Sequence, residues 1–210
     1  MWILPCCAVL CLGVCLPMFL HYKHLKHLLA AFFKSLGTIC AFLPALIAAL
    51  KLNPLYWILA VAILLHALGD FLLEYYFEAG LGAFLLGHVC YIIAFVKLFS
   101  LSAAHLVLLA CFLAYLGFLF YRHRTAIGKN MLPFAVYGII LCIMASCGIG
   151  GGASSYGRQG LMVALGSALF FFSDHALFLQ LLFPNRKRAD LLIMITYYLA
   201  QLLIGGACLL

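Results

Sequence analysis

Apolar run after apolar run, each roughly 17–25 residues long, fills this chain, with only short polar breaks between them. A helix of that length spans the hydrocarbon of a bilayer at about 1.5 Å per residue. Strands of a transmembrane β-barrel would be shorter and would alternate in polarity, which these runs do not. Breaks at charge, proline and glycine predict eight spans: 2–20, 31–50, 54–75, 81–99, 102–121, 131–148, 158–183 and 190–209. With 69% hydrophobic and 8% charged residues, no ordinary soluble domain fits. The expected architecture is all-α: one polytopic membrane domain over residues 1–210, a bundle of about eight transmembrane helices with short loops and no soluble domain.

A net charge of +7 does not imply nucleic acid, because the basic residues cluster at the borders of apolar runs. That placement suits anionic lipid surfaces and topology determination, so membrane lipids are the expected partners. Loops one, three, five and seven carry Lys23, Lys26, Arg122, Arg124, Lys129, Arg186, Lys187 and Arg188, whereas loops two, four and six carry only Lys51, Lys97 and Arg158. The asymmetry predicts cytosolic odd-numbered loops, with both termini on the other side. MWILPCCAVLCLGVCLPMFL has no basic residue before its apolar stretch, and HYKHLKH follows it, the pattern of a retained first helix. Cys7, Cys11 and Cys15 share one face of that helix as small packing residues, and nothing among the ten cysteines requires a disulfide. CGIGGGASSYGRQG lacks the strand and the GKS/T ending of a phosphate loop and reads as a flexible turn.

Only five acidic residues occur in 210, and two of them, Asp70 in LLHALGDFLLEYY and Asp174 in LGSALFFFSDHALFLQLLF, lie inside apolar runs. A carboxyl in the membrane interior is expensive unless paired, protonated or hydrated, so such residues mark cavities. Helical rise places Asp70 roughly 6–12 Å from the cytosolic end of the third helix, level with His88, Tyr137 and Tyr197. Asp174 and Gln201 fall roughly 15–20 Å in, nearer the midplane. These six polar groups from five helices occupy one half of the bilayer, as in a cup opening to the cytosolic leaflet. His66, Asp70 and Glu74 follow at i, i+4, i+8, His88 and Tyr91 at i, i+3, and Tyr197 and Gln201 at i, i+4, so each set shares a helix face.

The remaining polar residues read as structural. His21, His24 and His27 sit in a basic loop beside the membrane, and Glu74 and Glu78 read as surface charges at helix ends. His175 points about 100° away from Asp174 and reads as a packing residue. Gly69, Gly82 and Gly87 read first as close-packing positions, and Gly87, beside His88, could equally make room for a ligand.

The stretches ALGD (67–70), GAFLLGHVCYIIAF (82–95), MLPFAVYG (131–138), GSALFFFSD (166–174) and TYYLAQLLI (196–204) resemble the YhhN-like lysoplasmalogenase family of multi-pass membrane proteins. Lys34 in FFKSLG resembles that family's lysine at the start of the second helix, without the proline often found just after it. The resemblance implies hydrolysis of the vinyl-ether bond of lysoplasmalogens to a fatty aldehyde and glycerophosphoethanolamine or glycerophosphocholine. It implies Asp70 and Asp174 as the catalytic pair; with no compact ligand motif in the sequence, no metal and no cofactor are expected. The membrane implied is the endoplasmic reticulum in a eukaryote or the inner membrane in a bacterium.

A vinyl ether resists base but hydrolyses once its β-carbon is protonated, through an oxocarbenium ion that water captures. One acid and one anion suffice, the division of labour that paired glycosidase carboxylates use. Asp174, deeper and among phenylalanines, is the expected proton donor, and Asp70 the expected anion. His88, Tyr91, Tyr137, Tyr197 and Gln201 are expected to orient water or the substrate oxygens, and Lys34 to meet the phosphate of a lysophospholipid at the cytosolic rim. Two other classes use the same residues. His66, Asp70, His88 and Asp174 could ligate zinc in a ceramidase-like lipid hydrolase, although no compact ligand motif is present. A small proton-coupled transporter could use the aspartates as its relay, although no repeat or broken helix is evident.

Overall fold

In the computed structural model, which describes residues 2–100, 102–155, 157–184 and 189–210, the chain is helical with no strand among the described residues. Eight rods follow one another: α1 (Ile3–Tyr22), α2 (His27–Lys51), α3 (Tyr56–Leu72), α4 (Phe77–Leu98), α5 (Ala103–Ile127), α6 (Met131–Ser154), α7 (Arg158–Leu182) and α8 (Ala189–Ala207). By length and hydropathy, six stretches are apolar and long enough to cross a membrane. One of them, Ala103–Ser154, contains both α5 and α6, and the 17-residue α3 is shorter than the rest. Arg186, Lys187 and Arg188 of the seventh loop lie outside the described residues.

Local chemistry explains where the rods depart from expectation. α5 runs six residues beyond the expected 121, through a kink at His123, and stops at Gly128, whose φ of +55° is a conformation glycine adopts without a Cβ clash. α1 loosens into a π-turn over Cys11–Cys15, just before Pro17. There the Leu16 N–H reaches back to the Cys11 carbonyl, an arrangement that widens the turn ahead of the proline ring. The glycine-rich run is not the expected turn. Most of it, through Ser154, is helix α6, because Gly148, Gly150, Gly151 and Gly152 are buried contact points at which neighbouring helices touch backbone.

Six helices close a ring in the order α2, α3, α4, α6, α7, α8 and back to α2, with α1 lying against α2 and α8. α5 stands outside and pairs with α6 as an antiparallel hairpin, Gly138 meeting Leu116 and Gly150 meeting His105. α8 is the most enclosed rod, with twelve buried residues from Ile193 to Ala207.

The two ends of the ring differ. At the even-loop end a Cβ on Gly152 would stand 2.3 Å from the Gly160 carbonyl oxygen, and one on Gly205 would stand 2.2 Å from that of Ala41. Gln159 joins three helices there, its Nε2 donating to Tyr56 OH (2.8 Å) and to the Ala207 carbonyl (3.1 Å). At the odd-loop end the same helices part around a cavity.

Candidate functional site

The cavity, about 220 Å³, is lined by every rod except α5. Its mouth is at Lys23 and Asp190, whose side chains keep 28% and 34% of their area exposed, on the side of the odd-numbered loops. A cup is therefore present at the odd-loop end, lined by four of the six polar groups expected there, Asp70, Asp174, Tyr137 and Tyr197. Four of the chain's five acidic residues, Asp70, Glu74, Asp174 and Asp190, line it. The fifth, Glu78, is exposed as expected.

Asp70, near the end of α3, is almost wholly buried, and its Oδ2 accepts two hydroxyl hydrogens. Thr38 Oγ1 donates from α2 at 2.5 Å and Tyr197 OH from α8 at 2.8 Å. Two donors satisfy the anionic form of a buried carboxyl better than solvent-starved surroundings alone. Thr38 was not among the expected residues. Its signal was its spacing: it follows Lys34 by four residues, so the two share a face of α2.

Asp174, on α7, sits across the cavity in a different circle of partners. Tyr137 OH of α6 donates to its Oδ2 at 2.5 Å. His88 Nε2 of α4 stands 3.0 Å from the same tyrosine oxygen and 3.4 Å from Asp174 Oδ2. With the Tyr137 hydrogen committed to the aspartate, its oxygen is free to accept from the histidine, which makes a short chain from His88 to Tyr137 to Asp174. Phe134 and Phe178 of the cavity wall give this side the apolar character expected from the sequence.

Of the residues expected to face substrate, Lys34, Tyr137 and Tyr197 line the cavity. His88, Tyr91 and Gln201 do not; all three are fully buried behind its wall. Tyr91 OH donates to Gln201 Oε1 at 2.6 Å, and Gln201 Nε2 lies 3.0 Å from His66 Nδ1 and 3.4 Å from Tyr197 OH. An amide nitrogen only donates, so His66 Nδ1 is the acceptor and its proton sits on Nε2. This layer holds Tyr197 in place rather than touching the cavity. Helical rise and spacing do not fix their azimuth, which is set by packing.

Two further expectations change. Glu74 is not a surface charge: it pairs with Lys34 (3.1 Å) inside the cavity, the two side chains keeping only 16% and 13% exposure. Gly87 is the close-packing position it first reads as and leaves no room for a ligand, since a Cβ there would stand 2.5 Å from His66 Nε2. Gly69 packs against Phe84 as expected, whereas Gly82 faces open space. His21, His24 and His27 are exposed, and Cys7, Cys11 and Cys15 are buried together on α1. His175 lies apart from the cavity, 3.1 Å from Tyr115 OH, beside a smaller apolar cavity of about 70 Å³ between α5, α6 and α7. Among the described residues no group of three or more histidine, cysteine or acidic side chains converges in a way that could hold a metal.

The model of the YhhN family matches residues 29–208, which takes in every cavity residue except Phe19 of α1 and Lys23 just after it. No curated protein and no solved structure matches the chain.

Proposed function

The chain belongs to the YhhN family, and on that premise we propose that it is a membrane hydrolase that cleaves the vinyl-ether bond of lysoplasmalogens with Asp70 and Asp174. Family membership is consistent with a membrane hydrolase, and the finer reading rests on one observation: both intramembrane aspartates line one cavity with Lys34 above them. In each aspartate the hydrogen bonds go to Oδ2, which leaves Oδ1 for the reactant. We assign Asp174 as the acid. It transfers its proton to the β-carbon of the vinyl ether, and the electron pair of the double bond forms the new C–H bond. Positive charge then spreads over the α-carbon and the ether oxygen.

Asp70 stays anionic, held by Thr38 and Tyr197, and stabilises that cation across the cavity. Water admitted at the mouth adds to the α-carbon, and the hemiacetal collapses to aldehyde and glycerol hydroxyl. The proton that the added water loses returns to Asp174, whose carboxyl Tyr137 holds in place with His88 behind it. The apolar Phe84, Phe134 and Phe178 keep the alkenyl chain out of water and the carboxyls poorly solvated.

The eight rods fit eight crossings, with α5 and α6 as a folded-back pair and α3 as a short span, and with the odd-numbered loops in the cytosol. Cysteine labelling of the 121–130 loop only from the cytosolic face supports this orientation, and labelling only from outside reverses it. The reaction itself is tested by incubating purified protein with a lysoplasmalogen and with an ester-linked lysophospholipid. Fatty aldehyde from the first and no fatty acid from the second is the expected result. Fatty acid from the ester substrate, without aldehyde from the vinyl ether, would replace this reading.

A further inference from the structure

The cavity mouth carries charge in an unusual form. Lys34 pairs with Glu74 at 3.1 Å, and Lys23 pairs with Asp190 at 2.5 Å, all four side chains lining the cavity. Phe19 lies beneath both lysines, 5.7 Å from Lys34 Nζ and 6.0 Å from Lys23 Nζ, so the two ammoniums are no more than about 12 Å apart. We propose that these two ion pairs form a clamp for a zwitterionic glycerophospho headgroup, in which the phosphate takes Lys34 and the headgroup cation takes Glu74 and Asp190. This rests on the lysophospholipid reading above and adds to it the part of the substrate that the mouth selects.

Spacing along the helices sets the register. Lys34 and Thr38 are four residues apart on α2, about 6 Å of rise, and Glu74 lies in the turn that follows α3, four residues after Asp70. Since Thr38 bonds Asp70 and Lys34 bonds Glu74, α2 and the end of α3 with its turn present a charged level above the reactive level. A glycerol unit bridges such levels, with its phosphate at Lys34 and its ether carbon at Asp70. The headgroup cation then points outward, toward Asp190 at the mouth.

Partner exchange explains why a zwitterion fits best. When a phosphate takes Lys34 from Glu74, a carboxylate of low exposure is stranded one turn above Asp70, which is costly in a poorly solvated site. A cation on the same ligand re-pairs that carboxylate, so no charge is left alone. A ligand carrying only the phosphate leaves Glu74 unpaired and facing it as a like charge, with Asp190 still held by Lys23 alone. Free phosphate shares that fault and lacks the chain that fills the apolar wall.

The test uses the whole protein in detergent and non-hydrolysable alkyl-ether lysophospholipids, so that headgroup preference is read without turnover. Three probes are titrated: the ethanolamine ether lipid, the matching ether lipid ending in a phosphate monoester, and chain-free glycerophosphoethanolamine. The ethanolamine lipid should bind about tenfold or more tightly than the monoester, and the chain-free headgroup much more weakly than either. The near-isosteric double variant Glu74→Gln with Asp190→Asn should bring the two lipids to within about threefold of each other, mainly by improving the monoester. Equal binding of both lipids by the wild type, or an unchanged preference in a folded double variant, overturns the clamp. Should vinyl-ether hydrolysis fail while this selectivity holds, the reaction falls and the clamp stands.

Discussion

The two ends of this bundle solve opposite problems with the same helices. At the even-loop end, glycines on α6, α7 and α8 bring backbone against backbone, and Gln159 ties α3, α7 and α8 together. At the odd-loop end the same helices spread around a cavity that gathers four of five acidic residues. In a bilayer, helix association depends on close packing and a few hydrogen bonds, because lipid gives no hydrophobic drive between helices. A tightly packed end therefore lets the other end stay open and hold polar groups that no ordinary core would keep. The comparison teaches a division of labour: substitutions at the closed end act on folding, and those at the open end act on chemistry.

Substitution at the aspartates sharpens that comparison most. Asp70→Asn and Asp174→Asn keep shape and hydrogen bonds, so each should lower the rate of vinyl-ether hydrolysis by about 10²–10⁴. Thermal unfolding should hardly move, and the double variant should be little slower than the poorer single, since both groups act in one step. Near-normal turnover in a folded single variant would break the division.

At the closed end the expected effect is on stability alone. Gly152→Ala places a Cβ 2.3 Å from a backbone oxygen that no rotamer change can move. It should cost about 1–3 kcal/mol or more, read as a lower unfolding temperature, while the remaining folded fraction turns over normally. A stable variant with lost activity would show that the closed end takes part in the chemistry.

Smaller effects separate the layers of the open end. Tyr197→Phe and Thr38→Val each remove one of two donors to Asp70, and each should slow turnover by about tenfold, or about 1.4 kcal/mol. The loss should appear in kcat more than in KM, because the donor acts on charge that develops in the transition state. Gly82→Ala marks the floor: a Cβ there meets nothing within 4 Å, so stability and activity should stay within about ±0.5 kcal/mol.

Depth was legible in the sequence, and direction was not. Rise per residue placed Asp70, Asp174, Tyr137 and Tyr197 in one half of the membrane, Asp174 the deeper, and all four line the cavity. The same arithmetic placed His88 and Gln201 in that half, and spacing put Tyr91 on the face of His88, yet all three lie behind the wall, because rotation about each helix axis is fixed by neighbours. Glu74 looked like a helix-end charge because its partner, Lys34, is forty residues away on another helix. Asp190 drew no expectation for the same reason, its partner being Lys23 just beyond the end of α1. Gly87 and Gly82 could not be distinguished by composition, since one is filled by His66 and the other by nothing. The glycine run of α6 read as a turn because a soluble helix would not tolerate it, whereas helices packed in a membrane use it.

Solvent deuterium tests the proposed reaction most directly. If an aspartate protonates the β-carbon, hydrolysis of a lysoplasmalogen in deuterium oxide must place one deuterium on the carbon next to the aldehyde. Mass analysis of aldehyde trapped as it forms should show that single addition, and it should vanish together with turnover in the Asp174→Asn variant. Aldehyde formed by the wild type without the added deuterium would contradict β-carbon protonation, and with it the role assigned to the aspartate pair.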